Sequence, residues 1–230
     1  GLEYFFRRGI QLVFLFDEFE ELLRTMPVKF FLTLRGLRDN HKSQLSFLTF
    51  SREPIPTLVE KANIPELAIE PFVELFTDNL YYVGPYNMED ATKMLHTLMR
   101  RNPNAKYSDA TFDFLLNATG RYAGILRAGF RELEVLGDIG PSDLHNMNLI
   151  ERLARRSRIK AECETIWKSI TEVEHEVLKS IAMNKPDPID EKTEYAIALL
   201  VQKRLLKVDH YKQRLQIEPP VFNVYVNSNV

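Results

Sequence analysis

Two short apolar runs constrain this chain more than any other feature. Gln11 to Phe16 (QLVFLF) is apolar after its first residue and stops at two acids, Asp17 and Glu18. Leu45 to Phe50 (LSFLTF) is a second run of the same kind. Runs this short, bounded by polar residues, read as strands buried on both faces of a parallel sheet. Between them, Phe19 to Arg38 carries apolar residues at helical spacing, interrupted by Pro27. A third strand is expected from Asn79 to Val83. Strand, helix, strand is the grammar of an α/β sheet, so residues 1–85 are expected to form part of an α/β core.

The remainder has a different pattern. Residues 86–160 read as helices only. Asn87 can cap a helix whose Ala91, Met94, Leu95, Leu98 and Met99 share one face. Ser108 can cap the next, which stops at Gly120. A third helix is expected from Arg121 to Leu136, and a fourth after Pro141 and Ser142. In residues 161–230, Thr171 and Glu174 form a capping box, and Asp190 can cap a further helix. Leu205 to Ile217 reads as two short strands around a polar turn, and Val221 to Val226 alternates apolar and polar. Helix, helix, hairpin is the order of a winged helix-turn-helix.

Composition narrows the function classes. The formal net charge of −2 draws the chain as a whole neither to nucleic acid nor to an anionic membrane. Apolar runs such as Leu12 to Phe16 are too short to cross a bilayer. The single cysteine, Cys163, allows no internal disulfide and suits a reducing, cytoplasmic compartment. None of the five histidines has metal-ligand spacing with another or with Cys163. The chain opens on Gly1 rather than methionine, which points to a processed or excised segment.

The sharpest chemical signal is LVFLFDEFE. Asp17 and Glu18 fall where an apolar strand ends, and ligands of parallel α/β sheets bind at the carboxyl ends of strands. A carboxylate there can hold Mg²⁺ against nucleotide phosphates, and a second can orient and deprotonate an attacking water. Taken alone, the run can also be read as a buried strand leading into an acidic helix start. LSFLTFSRE follows at the next strand, ending in Ser51 and Arg52; a hydroxyl can hold water and a guanidinium can stabilise phosphate charge.

The first of these runs resembles the Walker B motif of AAA+ and STAND ATPases, and the second resembles their sensor-1 strand. TGRYAGILR (Thr119 to Arg127) resembles, more weakly, their lid segment, with Ala123 where proline or arginine is usual. The resemblance implies a partial P-loop NTPase core (1–85), an all-α lid bundle (86–160) and a winged-helix domain (161–230). It implies Asp17 as the Mg²⁺ and cofactor-side acid, Glu18 as the catalytic base, and Ser51 and Arg52 as sensors of the terminal phosphate of ATP. None of the nine glycines precedes a lysine, so the phosphate loop GxxxxGK[ST] is absent from these residues. The chain by itself is therefore expected not to bind or hydrolyse ATP, and to need a missing N-terminal ATPase segment or a protein partner, with oligomerisation open. The alternative is a DNA-binding or protein-interaction module that uses the winged helix, with the ATPase-like part as scaffold. For double-stranded DNA, the wing residues Lys212 and Arg214 are the candidate contacts. The basic run Glu151 to Lys160 reads as a solvated helix face or linker.

Overall fold

The computed structural model describes residues 1–102, 106–137, 139–185, 190–209 and 214–229. It is mostly helical, with two small two-stranded sheets. It divides into two compact units, Gly1–Tyr81 and Tyr82–Val230.

The first unit runs α1 (Glu3–Phe6), β1 (Leu12–Phe16), α2 (Phe19–Thr25), α3 (Val28–Asn40), β2 (Leu45–Thr49), α4 (Ile55–Lys61) and α5 (Glu66–Val73). Pro27 separates α2 from α3 and serves as the N-cap of α3, where its missing N–H costs nothing. β1 and β2 pair in parallel, Leu12 opposite Leu45 and Phe16 opposite Thr49. Phe19, Phe31, Ile69 and Phe72 are fully buried, and Phe16 and Phe47 pack against them from the sheet.

β1 is continuously apolar and β2 carries Ser46 and Thr49 among its apolar residues, yet burial alternates along both. The opposite face of the pair leaves Val13 59%, Leu15 64%, Leu48 47% and Phe50 43% exposed. Burial on both faces, as expected from the sequence, is thus met on one face only. The described residues hold no third strand at 79–83. Leu80, Tyr81 and Val83 are 52%, 82% and 89% exposed. β propensity without a ladder partner leaves these backbone groups to water.

The second unit runs α6 (Met88–Arg100), α7 (Asp109–Thr119), α8 (Ala123–Phe130), α9 (Leu133–Leu136), a 3₁₀ turn (Pro141–Asp143), α10 (Met147–Ala154), α11 (Ser157–Lys168), α12 (Glu172–Ala182), α13 (Glu191–Gln202), β3 (Leu206–Asp209), β4 (Arg214–Ile217) and α14 (Pro220–Asn229). One apolar core extends from Ala91 on α6 to Val226 on α14. Asn87 accepts from the Asp90 N–H at 2.8 Å, and Ser108 from Thr111 at 3.2 Å. Asp190 accepts from the Thr193 N–H at 2.8 Å, and Thr171 and Glu174 close their capping box. Gly120 ends α7 in the left-handed region at φ 55°, where a Cβ would also come within 2.7 Å of the Pro219 Cβ.

Three local expectations differ from the structure. The helix expected from Arg121 to Leu136 is two helices, broken where Glu132 turns inward to meet Arg156 at 2.6 Å and Arg158 at 3.7 Å. After Pro141 only a 3₁₀ turn forms, and the true helix starts beyond Asn146, whose side chain accepts from the Asn148 N–H at 3.1 Å. The alternating stretch Val221–Val226 is helical, because burial of Val221, Phe222 and Val226 against one core outweighs the local period. No helix among the described residues is long and apolar enough to cross a membrane.

Cys163 is fully buried on α11. Burial first, then the charge of Glu162, pushes its thiol up to about 12 from an ordinary 9.0. The neutral thiol is therefore favoured in the folded state. Its contribution to stability is complete below about pH 9 and is lost as pH rises through 12. Native protein near pH 8 is expected to resist a thiol-reactive disulfide reagent and to react fully once unfolded. Stoichiometric labelling under native conditions would show the burial to be wrong.

Candidate functional site

The parallel pairing of β1 and β2 brings their carboxyl ends side by side. The Phe50 N–H donates to the Phe16 carbonyl at 2.8 Å, and the Phe19 N–H donates to the Phe50 carbonyl at 3.0 Å. Asp17 and Glu18 therefore lie next to Phe50 and Ser51 along the end of the sheet. This juxtaposition joins the two motifs singled out in the sequence, although more than thirty residues separate them.

Glu18 has a left-handed backbone, φ 47° and ψ 51°. That region is sparsely populated by residues other than glycine, asparagine and aspartate. It turns the chain abruptly from strand to α2 and leaves the Glu18 side chain exposed. Asp17 accepts from the Glu18 N–H through Oδ1 at 2.9 Å, which braces the turn and leaves its Oδ2 without a hydrogen-bond partner among the described residues. Two exposed carboxylates, one with a free oxygen, suit a hydrated Mg²⁺, which keeps several waters and takes only one or two protein carboxylates. Among the described residues no cluster of three or more His, Cys, Asp or Glu is placed to hold a metal by itself.

Ser51 and Arg52 are engaged locally. The Ser51 Oγ–H donates to the Glu53 carbonyl at 2.8 Å. The Arg52 Nε lies 3.7 Å from Glu20 Oε1, with Arg52 69% exposed and Glu20 19%. Glu53 in turn accepts from Lys61 Nζ at 2.7 Å on both oxygens. Glu20 was not singled out in the sequence, although it belongs to the same acidic run DEFEE. Its Oε2 is buried without a hydrogen-bond partner among the described residues, an unusual condition for a carboxylate oxygen. A strand-end acid run signals a site without saying which of its acids turns inward; the packing of α2 decides that.

In the second unit, Arg121 has a left-handed backbone at φ 65° and Arg127 is exposed on α8. Arg214 opens β4 opposite Asp209 and is exposed; Lys212 lies outside the described residues. The first turn of α13 carries Glu191 and Glu194, capped by Asp190, against a single Lys192. The basic run 151–160 is partly neutralised. Arg155 pairs with Glu151 at 3.3 Å, and Arg156 and Arg158 share Glu132. Comparison with protein-family models, with curated proteins and with solved structures found no match to this chain.

Proposed function

We propose that this chain is the downstream part of a nucleotide-dependent switch or remodelling ATPase of AAA+ or STAND type. The observation that carries this is the pairing of β1 with β2, which sets Asp17 and Glu18 beside Ser51 and Arg52 at the carboxyl end of a parallel sheet. The order α12, α13, β3, β4 supports a winged-helix reading of the last segment, and the helices from α6 to α10 support a lid. The lone buried thiol fits a cytoplasmic setting.

In this reading Asp17 would hold Mg²⁺ with its free oxygen, and the bound ion would supply charge neutralisation at the ATP phosphates. Glu18 orients the attacking water and takes its proton. Arg52, once turned from Glu20, offers its guanidinium to the terminal phosphate, and Ser51 holds the water from the other strand end. The phosphate loop would come from polypeptide outside these residues. The acidic start of α13 favours protein over duplex DNA as the partner of the winged-helix segment.

The test is ATP turnover by the natural full-length protein carrying Glu18→Gln. Turnover is expected to fall by at least about 100-fold, with Mg·ATP binding retained. Unchanged turnover would overturn the assignment. The 230-residue chain alone is expected to show no ATPase activity, and appreciable turnover by it would count equally against this function.

A further inference from the structure

Away from the strand ends, the first unit holds a groove of about 710 Å³ between α4 and α5. Local chemistry builds it. The Asn63 N–H donates to the Glu60 carbonyl at 2.9 Å, and the Ile64 N–H donates to the Val59 carbonyl at 3.2 Å. Asn63 has a left-handed backbone at φ 54°. This pair of bonds around a left-handed residue is a Schellman stop, which ends α4 and turns the chain towards α5. Leu58, Ile69 and Phe72 are buried in the aromatic core. The other sides of the two helices border the groove.

The floor is apolar. Val59 is buried, and Ile64 and Val73 are half-buried. The rim is acidic. Glu60, Glu66, Glu70 and Glu74 line the groove and are exposed, and no Lys, Arg or His belongs to the lining.

Glu66, Glu70 and Glu74 stand four residues apart, so they form one row along α5, about 12 Å long. Like charges at this spacing weaken a helix. Only Glu74 has a cation near it, Arg35 at 3.5 Å, and Arg35 is shared with Asp39 at 2.7 Å. The side chains of Glu60, Glu66 and Glu70 make no ion pair or hydrogen bond among the described residues. A cationic occupant would relieve this repulsion and cover the floor.

The layout also selects the occupant's conformation. A strand sends its side chains to two opposite faces, so apolar residues seated on the floor would turn the cations away from the rim. A helix carries an apolar stripe with charges directly beside it. We propose that this groove docks a basic amphipathic helix of a partner protein, its apolar stripe on Val59, Ile64 and Val73 and its lysines or arginines against the four glutamates. The proposal does not depend on the ATPase reading of the strand ends.

Fluorescence anisotropy of the 230-residue chain tests it with a labelled peptide of about 18 residues, leucines on one helical face and lysines beside them. The control is a peptide of the same composition scrambled to remove that face. Saturable binding of the first peptide is expected, with the second weaker by about tenfold or more. Glu60→Lys with Glu70→Lys places a cation near the end of α4 and between two acids of α5, so both helices are kept or strengthened. This variant is expected to hold its melting temperature and to lose about tenfold or more in affinity. Glu134→Lys with Glu176→Lys, at exposed positions of the second unit, makes the same change in net charge and is expected to leave binding unchanged. Equal binding of both peptides, full binding by Glu60→Lys with Glu70→Lys, or an equal loss in both variants would overturn the proposal. Displacement of the peptide by Mg²⁺, but not by sodium chloride of equal ionic strength, would assign the acids to a metal ion and overturn it as well. Self-association of the chain that Glu60→Lys with Glu70→Lys abolishes would make the occupant a second copy, which also overturns it.

Discussion

Glu174→Ala is expected to destabilise the second unit by about 3–5 kcal/mol, as does breaking other buried ion pairs, and to lower its melting temperature by on the order of 10 °C. Glu174 has no exposed surface and serves two elements. Its Oε2 accepts from the Thr171 N–H at 2.7 Å at the start of α12. Its Oε1 accepts from Lys203 Nζ at 2.7 Å at the end of α13, where the Lys203 side chain is only 17% exposed. The Lys203 carbonyl also accepts from the Tyr122 hydroxyl, which ties α13 to the start of α8. Alanine would leave an ammonium without its counter-charge and a helix N-terminus without half of its capping box. A double variant, Glu174→Leu with Lys203→Met, is expected to recover most of the loss, because removing both charges removes the desolvation cost of each. A thermal melt of Glu174→Ala within about 2 °C of the parent would show that the pair contributes little.

Phe72→Ala is expected to cost the first unit about 3–5 kcal/mol. The Phe72 ring is fully buried and lies 5.3 Å from Phe31 and from Phe76, 6.0 Å from Phe19 and 6.3 Å from Phe47. It therefore joins α5 to α2, α3 and β2 at one point. Phe19 is the residue after Glu18, so the cavity would loosen the candidate site as well as the core. Amide exchange at Phe19, whose N–H donates to the Phe50 carbonyl, and at Phe50, whose N–H donates to the Phe16 carbonyl, is expected to accelerate along with the loss of stability. Phe72→Leu, which keeps most of the volume, is expected to cost far less. If denaturant unfolding shows no shift for Phe72→Ala, the aromatic cluster is not the centre of this unit.

The elements most legible in the sequence are those set by short-range chemistry. Asn87, Ser108, Thr171 and Asp190 each cap the helix expected of them, because a side-chain oxygen three residues before an amide can reach it whatever the surroundings. Pro27 divides α2 from α3 for an equally local reason. The two apolar runs became β1 and β2, and the two short strands expected within Leu205–Ile217 pair antiparallel as β3 and β4, the turn between them lying outside the described residues. Where packing competes with local pattern, local pattern lost. Val221–Val226 is a helix despite its alternation, and the helix expected from Arg121 breaks where Glu132 turns towards two arginines.

By itself, the sequence determined the chemistry at hand: a strand ending in Asp17-Glu18, another ending in Ser51-Arg52, and no phosphate loop in these residues. Periodicity and caps are properties of neighbours in the chain, so they survive without knowledge of the fold. A parallel sheet was expected from the sequence, but only the tertiary structure decided that the two strands are direct neighbours in it, which brings the two motifs together. It alone revealed that Glu20 is drawn inward while Arg52 turns to it, that one face of the sheet remains exposed, and that Arg121, Arg204 and Lys207 line one cleft of the second unit. These are matters of which surfaces meet across long separations in the chain, and pairing of that kind is settled by burial and geometry rather than by the local run of residues.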